Sequence, residues 1–296
     1  MRVPERIAIT GSSGLIGTAL VGHLKSEGHT VQRLVRRVPV AVDEVTWDPH
    51  TGYVDLNALE GVDAIIHLAG APVDGKRWSK KFKAEILNSR LMGTATIAKA
   101  VAEVKPDVFI SASAIGWYGE SGNRAVVESD RVGNDFLAAV CREWEAAADL
   151  ASGIRTVKLR TGLVLDPTGG ALGKMLPLFR LGFGGKLGSG KQWWSWITLH
   201  DVVRAIEFAL VEDISGPVNL SAPNPVTNQE FTSALARALH RPAVFPAPAF
   251  ALKAVLGGFS SEVLGSKRVI PQALLDAGFT WDYPHLSDAL KVLVES

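Results

Sequence analysis

The sequence predicts an α/β chain: a doubly wound parallel sheet joined to a smaller C-terminal lobe that is partly interleaved with it. Three observations carry that expectation. Short apolar runs at residues 6–9, 62–67, 108–112 and 156–159 alternate with longer stretches of helical spacing, the order that builds parallel β-α-β units. The run Thr10-Gly11-Ser12-Ser13-Gly14-Leu15-Ile16-Gly17 stands between the first apolar run and an apolar-periodic segment, Leu15 to Leu24. Beyond residue 165 the pattern loosens into a glycine-rich stretch, Gly169 to Gly190, before helix-spaced Asp201 to Leu210 and the short apolar run Val218 to Leu220 return to the sheet.

The glycines of the first turn have separate physical reasons. Gly11 permits a tight turn, Gly14 lets backbone approach a pyrophosphate with no Cβ in the way, and Gly17 lets helix pack closely on strand. The free N–H groups of the helix N-terminus then face the phosphates. With strand before and helix after, this is the dinucleotide cradle of a Rossmann fold, and Thr10, Gly11, Ser13, Gly14, Leu15, Ile16 and Gly17 are its candidate contacts. The threonine-led G-x-x-G-x-x-G spacing resembles the opening of the extended short-chain dehydrogenases/reductases.

Thr30 to Val35 reads as a second strand, ending in Arg36-Arg37. An acidic residue there would accept hydrogen bonds from an adenosine ribose 2′-OH, whereas arginine pairs with a 2′-phosphate. Arg36 is the candidate for that contact, which makes NADP(H) the expected cofactor; a solvated basic loop is the alternative. Val62 to His67 is a near-continuously apolar strand, as parallel strands are. It runs into Leu68-Ala69-Gly70-Ala71, which resembles the N/H-L-A-G element of the same family and implies backbone contacts to the cofactor from Leu68 and Ala69, with Gly70 beside them. Helix-spaced Phe82 to Ala102 carries Glu85 and Arg90, the latter where the family commonly has asparagine. A charged pair lining the cleft and a surface salt bridge both fit that spacing. Val108 to Ala112 leads to Ser113-Ala114-Ile115-Gly116-Trp117-Tyr118-Gly119, similar to the family's strand end at which a serine or threonine bonds the reacting carbonyl or hydroxyl. The resemblance makes Ser113 a candidate substrate-polarising residue; a strand-end serine satisfying local backbone is the plain alternative.

On the next helix the family usually places a tyrosine and, four residues later, a lysine, so that both lie on one helical stripe. The cation eases proton transfer by the phenol. Residues 135–145, Asp-Phe-Leu-Ala-Ala-Val-Cys-Arg-Glu-Trp-Glu, contain neither. With Glu145 held in register, Leu137 takes the tyrosine position and Cys141 the lysine position. The surrounding blocks are intact: Trp47-Asp48-Pro49, Arg160-Thr161-Gly162-Leu163-Val164-Leu165, and Gly188-Ser189-Gly190-Lys191-Gln192-Trp193-Trp194-Ser195-Trp196-Ile197 with His200-Asp201. Over about residues 6–240 the chain therefore resembles the YfcH-like, or SulA-like, "epimerase family", an atypical group of extended reductases. That resemblance implies NADP(H) contacts from Thr10 to Gly17, Arg36, Leu68, Ala69, Glu85, Arg90 and the backbone near Leu163, without defining a substrate. Tyr118 first, and Cys141 second, are the candidates for the missing proton donor, each with a packing explanation beside it.

The expected division is an NADP-binding Rossmann domain over 1–165, which also receives returning segments of about 197–222, and a substrate lobe with C-terminal extension over 166–296. In that lobe Trp193, Trp194 and Trp196 offer flat faces for a sugar or aromatic ring, or pack as half-buried strand residues. Thr227-Asn228-Gln229-Glu230 has the form of a capping box. The most apolar late stretch, Ala247 to Phe259, is interrupted by proline, glycine and Lys253 and falls short of the roughly 20 residues of a membrane span. A net charge of +1 over 296 residues offers no global field for nucleic acid or an acidic membrane, so neither is an expected partner. The single cysteine excludes an internal disulfide, and no Cys/His cluster has metal spacing. The expectation is a metal-free, cytoplasmic protein, with a homodimer and a protein partner both left open. Two functions fit: an NADP(H)-dependent oxidoreductase or epimerase-like enzyme for a small polar substrate, nucleotide sugars among them; or a non-catalytic NADPH-binding sensor or scaffold, linked to cell division by the family's SulA-like name alone.

Overall fold

The computed structural model describes residues 3–74 and 76–295. Its centre is one eight-stranded sheet. In chain order the strands are β1 (Arg6–Thr10), β2 (Thr30–Val35), β3 (Glu44–Asp48), β4 (Tyr53–Val54), β5 (Ala64–His67), β6 (Val108–Ala114), β7 (Arg155–Thr161) and β8 (Gly216–Leu220). In space they run β8-β7-β6-β5-β1-β2-β3-β4, all parallel except the β3–β4 hairpin at one edge. From β1 the chain winds outward one way to β4 and then returns to β5 on the other side. The crevice between β1 and β5 is thus the switch point at which open α/β sheets bind ligands.

Strand alternation explains the two faces. Ile7, Ile9, Ala64, Ile66, Val108 and Ile110 point to one side, where Leu20 and Leu24 of α1 (Leu15–Ser26) and Ile206 of the returning helix 199–211 cover them. Ala8, Ile65 and Phe109 point to the other, under Ile97 and Val101 of α2 (Lys80–Val104) and Ala148 of α3 (Phe136–Ala148). Each fully buried isoleucine or leucine contributes about 1.5–3 kcal/mol relative to an exposed one, so the strands with two covered faces are the most apolar. The β3–β4 edge hairpin has no counterpart in the sequence reading: five residues of β3 and two of β4 are too few to show a period.

In the second lobe α4 (Gly170–Arg180) forms where the glycines and Pro177 argue against a helix. It holds because Leu172, Leu176 and Phe179 share one face and bury against Trp196, Phe231 and Leu290. After α5 (Leu199–Val211) and β8, the expected capping box starts α6 (Asn228–Ala238): Thr227 Oγ1 accepts from Glu230 N at 3.2 Å, and Glu230 Oε2 accepts from Thr227 N at 2.7 Å. The last 50 residues are laced back into the sheet half. Asn219 Nδ2 donates to Ile270 O at 2.9 Å, Asp201 accepts the N–H groups of Asp282 and Tyr283 at 2.9 and 3.1 Å, and Ser195 Oγ donates to Lys267 O and accepts from Val269 N, both at 2.8 Å. Val269 also pairs with Val126 as a short parallel strand. No described helix is long and apolar enough to cross a membrane.

Candidate functional site

A cleft of about 830 Å³ opens at the β1/β5 switch point, lined by Gly11 to Gly14, Arg33 to Arg37, Trp47 and Leu68 to Gly70. The turn leading to α1 is closed as tightly as its sequence suggests. Gly11 has φ +70°, and a Cβ there would lie 2.8 Å from Ala69 N. A Cβ at Gly17 would lie 2.1 Å from Gly11 O, inside any tolerable contact. Gly14 is the N-cap of α1, in extended conformation, with no side-chain cap and no acidic residue in the first helical turn. The first N–H groups of the helix, those of Leu15 to Gly17, have no intrahelical acceptor, and the cleft lining takes in Gly11 to Gly14 and then Thr18 and Val21 of α1. Ser13 lies on its rim.

At the far end of the cleft, cations and acids interleave. Arg33 pairs with Asp43 through Nε and Nη2 at 3.1 and 2.8 Å, Arg37 clamps Glu44 with both terminal nitrogens at 2.8 and 2.6 Å, and Lys25 reaches Asp43 at 2.8 Å. The Arg33 and Lys25 hydrogen bonds hold the Asp43 carboxyl well below the usual range. Arg37, helped by the Val40 N–H, draws Glu44 down to about 2. Arg36 is exposed and has no hydrogen bond or ion pair among the described residues. Four cations face two carboxylates here, leaving a surplus of two positive charges.

The wall at Leu68 and Ala69 is fixed from below. Thr10 Oγ1 accepts the N–H groups of Leu68 and Ala69 at 3.2 and 3.3 Å and meets His67 Nδ1 at 2.7 Å. With both N–H groups directed at it, the Thr10 hydroxyl proton has His67 Nδ1 as its acceptor, which leaves the other ring nitrogen protonated. Burial pushes the His67 imidazolium pKa down to about 3, so the ring is neutral. The expected backbone contacts of Leu68 and Ala69 therefore narrow: their N–H groups are committed to Thr10, and what remains for a ligand is carbonyl and side chain.

At the ends of β6 and β7 the candidate catalytic groups join a buried polar network. Ser113 Oγ donates to Glu145 Oε1 at 2.7 Å. Arg160 clamps the same carboxylate, Nε to Oε1 at 2.8 Å and Nη2 to Oε2 at 2.9 Å, and its Nη1 donates to Tyr118 OH at 3.1 Å. Tyr118 OH in turn donates to Asn219 Oδ1 at 2.6 Å. Burial works against the Arg160 charge, but Glu145 outweighs it and raises the pKa. Burial likewise pushes the Tyr118 phenol up to about 12, against the opposing pull of Arg160. Trp117 stacks on the Arg160 guanidinium at 3.9 Å. Leu137 and Cys141 do share one stripe of α3, both facing Gly116, where a Cβ would meet them at 3.3 and 3.4 Å. Cys141 Sγ points to Ala114 O at 3.6 Å, and burial, reinforced by Glu145, pushes its thiol up to about 12.

The remaining candidates scatter. Arg90 lies against Gly70, which a Cβ would bring to 3.6 Å from its Cζ, donates to Ala71 O and Ile86 O at 2.9 and 3.1 Å, and stacks on Trp144 at 4.8 Å. Burial lowers its pKa. Glu85 is exposed, 3.9 Å from Lys76, so the Glu85–Arg90 pair does not form; five residues apart on α2, the two side chains leave on different faces. Leu163 N donates to Ser195 O at 2.8 Å, at the seam between the lobes. Of the tryptophans, Trp196 is fully buried, Trp194 packs edge-on against Phe231, and Trp193 is covered by Arg268 at 4.3 Å. His200, Asp201 and Asp282 come close enough together to hold an ion, but Asp201 already receives Arg204 Nη1, Thr198 Oγ1 and two backbone N–H groups. The sequence reading missed Glu145 and Arg160 as a buried pair, and Asn219, Arg33, Trp47 and Thr10's second role; the signals it held were the Trp47-Asp48-Pro49 and Arg160-Thr161-Gly162 blocks and Glu145 as a register mark, none of which named a contact.

Sheet order, glycine turn and crevice together define an extended short-chain dehydrogenase/reductase. The chain belongs to the NAD dependent epimerase/dehydratase family, which residues 7–221 match, while residues 247–293 match a domain of unknown function, DUF1731. An epimerase family protein of Mycobacterium bovis is 46% identical over 288 residues, 96% of each chain. Human epimerase family protein SDR39U1 (isoform 2), solved with NADPH, is 34% identical and aligns with a TM-score of 0.91 over 98% of this chain and 99% of that one. A nucleoside-diphosphate sugar epimerase of Corynebacterium glutamicum is 36% identical with a TM-score of 0.79, over 98% of this chain and 58% of the other.

Proposed function

We propose that the cleft takes NADP(H) and that the chain is an NADP(H)-dependent oxidoreductase or epimerase-like enzyme for a small polar substrate. The observation that carries this reading is Arg36: the one cleft arginine with no acid of its own among the described residues, beside a surplus of two positive charges. A 2′-phosphate supplies the opposite charge, and the pairing explains why an arginine stands where a 2′-OH would select an acid. Support also comes from the NADPH in the human relative. The pyrophosphate would rest on the uncapped N-terminus of α1, which the glycines leave open. The nicotinamide cofactor supplies the hydride when bound. Tyr118 OH holds the proton, neutral across the physiological range, and Arg160 Nη1 at 3.1 Å steadies charge that develops on the phenol oxygen. Ser113 fixes Glu145, and Glu145 fixes Arg160, so Ser113 positions the donor rather than gripping substrate. Cys141 follows Tyr118 as an alternative donor. The nucleoside-diphosphate sugar epimerase among the relatives makes nucleotide sugars the first substrates to try. The free, buried cysteine suits a reducing, cytoplasmic setting.

A second reading, a non-catalytic NADPH sensor or scaffold working through a protein partner or a homodimer, is favoured by two observations. Residues 136–148 contain neither tyrosine nor lysine, and the Ser113 hydroxyl is turned to Glu145. Calorimetry with NADPH and NADH tests the cofactor, and NADPH oxidation against a panel of nucleotide sugars and other carbonyl compounds tests the chemistry. Turnover that falls in Tyr118→Phe supports the enzyme. Tight NADPH binding with no turnover on any compound supports the sensor, and failure to bind either nucleotide ends both.

A further inference from the structure

Two segments of the second lobe hold no acidic residue. Between Asp166 and Asp201 the charges are Lys174, Arg180, Lys186 and Lys191; between Glu230 and Glu262 they are Arg237, Arg241 and Lys253. The fold joins these segments into one surface. Phe245 N donates to Gly184 O at 3.1 Å, Ala247 N to Lys186 O at 2.9 Å, Gly188 N to Ala247 O at 2.8 Å, and Arg241 Nε to Arg180 O at 3.1 Å. The same two segments carry exposed large apolar side chains: Phe250 is 77% exposed, Val255 74%, Leu181 70%, Val244 68%, Phe183 59% and Phe245 57%. Phe183 and Phe245 stack at 5.8 Å. Phe250 belongs to the helix Ala249–Leu256, whose sequence Ala-Phe-Ala-Leu-Lys-Ala-Val-Leu buries no residue at all. Beside the patch, Arg237, His240 and Arg241 line an open cavity of about 500 Å³.

We infer that this face is a docking surface for an anionic lipid bilayer, with the phenylalanines entering the headgroup region and the lysines and arginines meeting lipid phosphates. Apolar side chains protruding from a basic rim are the chemistry of peripheral attachment, which requires no spanning helix. Charge decides against the other occupant of an apolar face, a second copy of the chain. A two-fold contact brings a patch onto itself, and here it would set one basic rim against another. Lys174 is the only cation of the seven with an acidic partner among the described residues, Asp74 from outside both segments. The near-zero net charge of the whole chain hides this local field, because the balancing carboxylates lie elsewhere.

The test is flotation of the full chain with vesicles of phosphatidylcholine alone, and with about 30% phosphatidylglycerol, at low and high salt. We expect flotation only with the anionic vesicles, lost at about 0.5 M NaCl. Phe183→Ser with Phe250→Ser, and separately Arg180→Glu with Lys253→Glu, should each lower the bound fraction about tenfold while melting temperature and NADPH affinity stay at wild-type values. No flotation with anionic vesicles, equal flotation of the variants, or flotation indifferent to lipid charge would overturn the inference. So would light scattering that finds a dimer which Phe250→Ser converts to monomer, since the face would then belong to a second copy. Retention on polyglutamate without vesicle binding would assign it to an acidic protein instead.

Discussion

The cleft and the buried polar network handle charge in opposite ways. At the β2 end, three cations are paired with two acids and a fourth, Arg36, is left over. At the β6 and β7 ends every group of the Ser113–Glu145–Arg160–Tyr118–Asn219 network has a partner within the chain, and both charged members are more than nine-tenths buried. The first arrangement leaves one cation without a partner among the described residues; in the second every group is paired. An exposed unpaired arginine costs the fold little, whereas a buried pair is expensive to break. Arg36 should therefore matter to binding, and the buried Glu145–Arg160 pair to stability.

The largest expected effect tests the second half of that contrast. Glu145→Ala leaves the Arg160 guanidinium buried and unpaired and should cost about 3–5 kcal/mol in urea unfolding. A loss under about 1 kcal/mol would show that water already reaches the pair. Next comes Gly17→Ala, whose Cβ would fall 2.1 Å from Gly11 O. Overpacking of this kind costs about 1–3 kcal/mol and should abolish nucleotide binding. Gly22→Ala in the same helix meets nothing within 4 Å and should stabilise by about 0.5–1 kcal/mol, which controls for helix propensity. Arg36→Ala should weaken NADPH by about ten- to a hundredfold in calorimetry, the loss of a charged hydrogen bond, and leave NADH affinity and the melting temperature unchanged. Equal weakening of both nucleotides would remove the phosphate contact and with it the contrast. The smallest effect is a pH dependence. The Glu44 carboxyl falls from 4.5 to about 2 on folding, chiefly through Arg37, so its contribution is full above pH 4.5 and lost as pH falls toward 2. Glu44→Gln should flatten that acid limb in thermal melts, and an unchanged limb would mean that Asp43 alone carries it.

How much of this was legible in the sequence follows from range. The glycine turn, Arg36 and the strands that alternate with helices are local patterns, and the fold places them where the pattern says. Arg160 and Tyr118 are 42 residues apart and Tyr118 and Asn219 are 101 apart, so no window along the chain could have joined them. Glu145 was visible only as a register mark on α3, although it is the acid that both Ser113 and Arg160 need. Glu85 and Arg90 illustrate the opposite error, since proximity in sequence suggested a pair that helical geometry forbids. The helix α4 was hidden by Pro177 and its glycines because packing against Trp196 and Phe231, not propensity, maintains it.

The ties from the last 50 residues to Asn219, Asp201 and Ser195 have a practical consequence for anyone cutting the gene at the gap between residues 221 and 247. A shortened polypeptide would expose the Val126 strand edge, leave the buried Ser195 hydroxyl with neither its acceptor nor its donor, and take one partner from Asn219 and two from Asp201. It should come out of the cell insoluble, because the tail works as mortar for the larger half and is no detachable module.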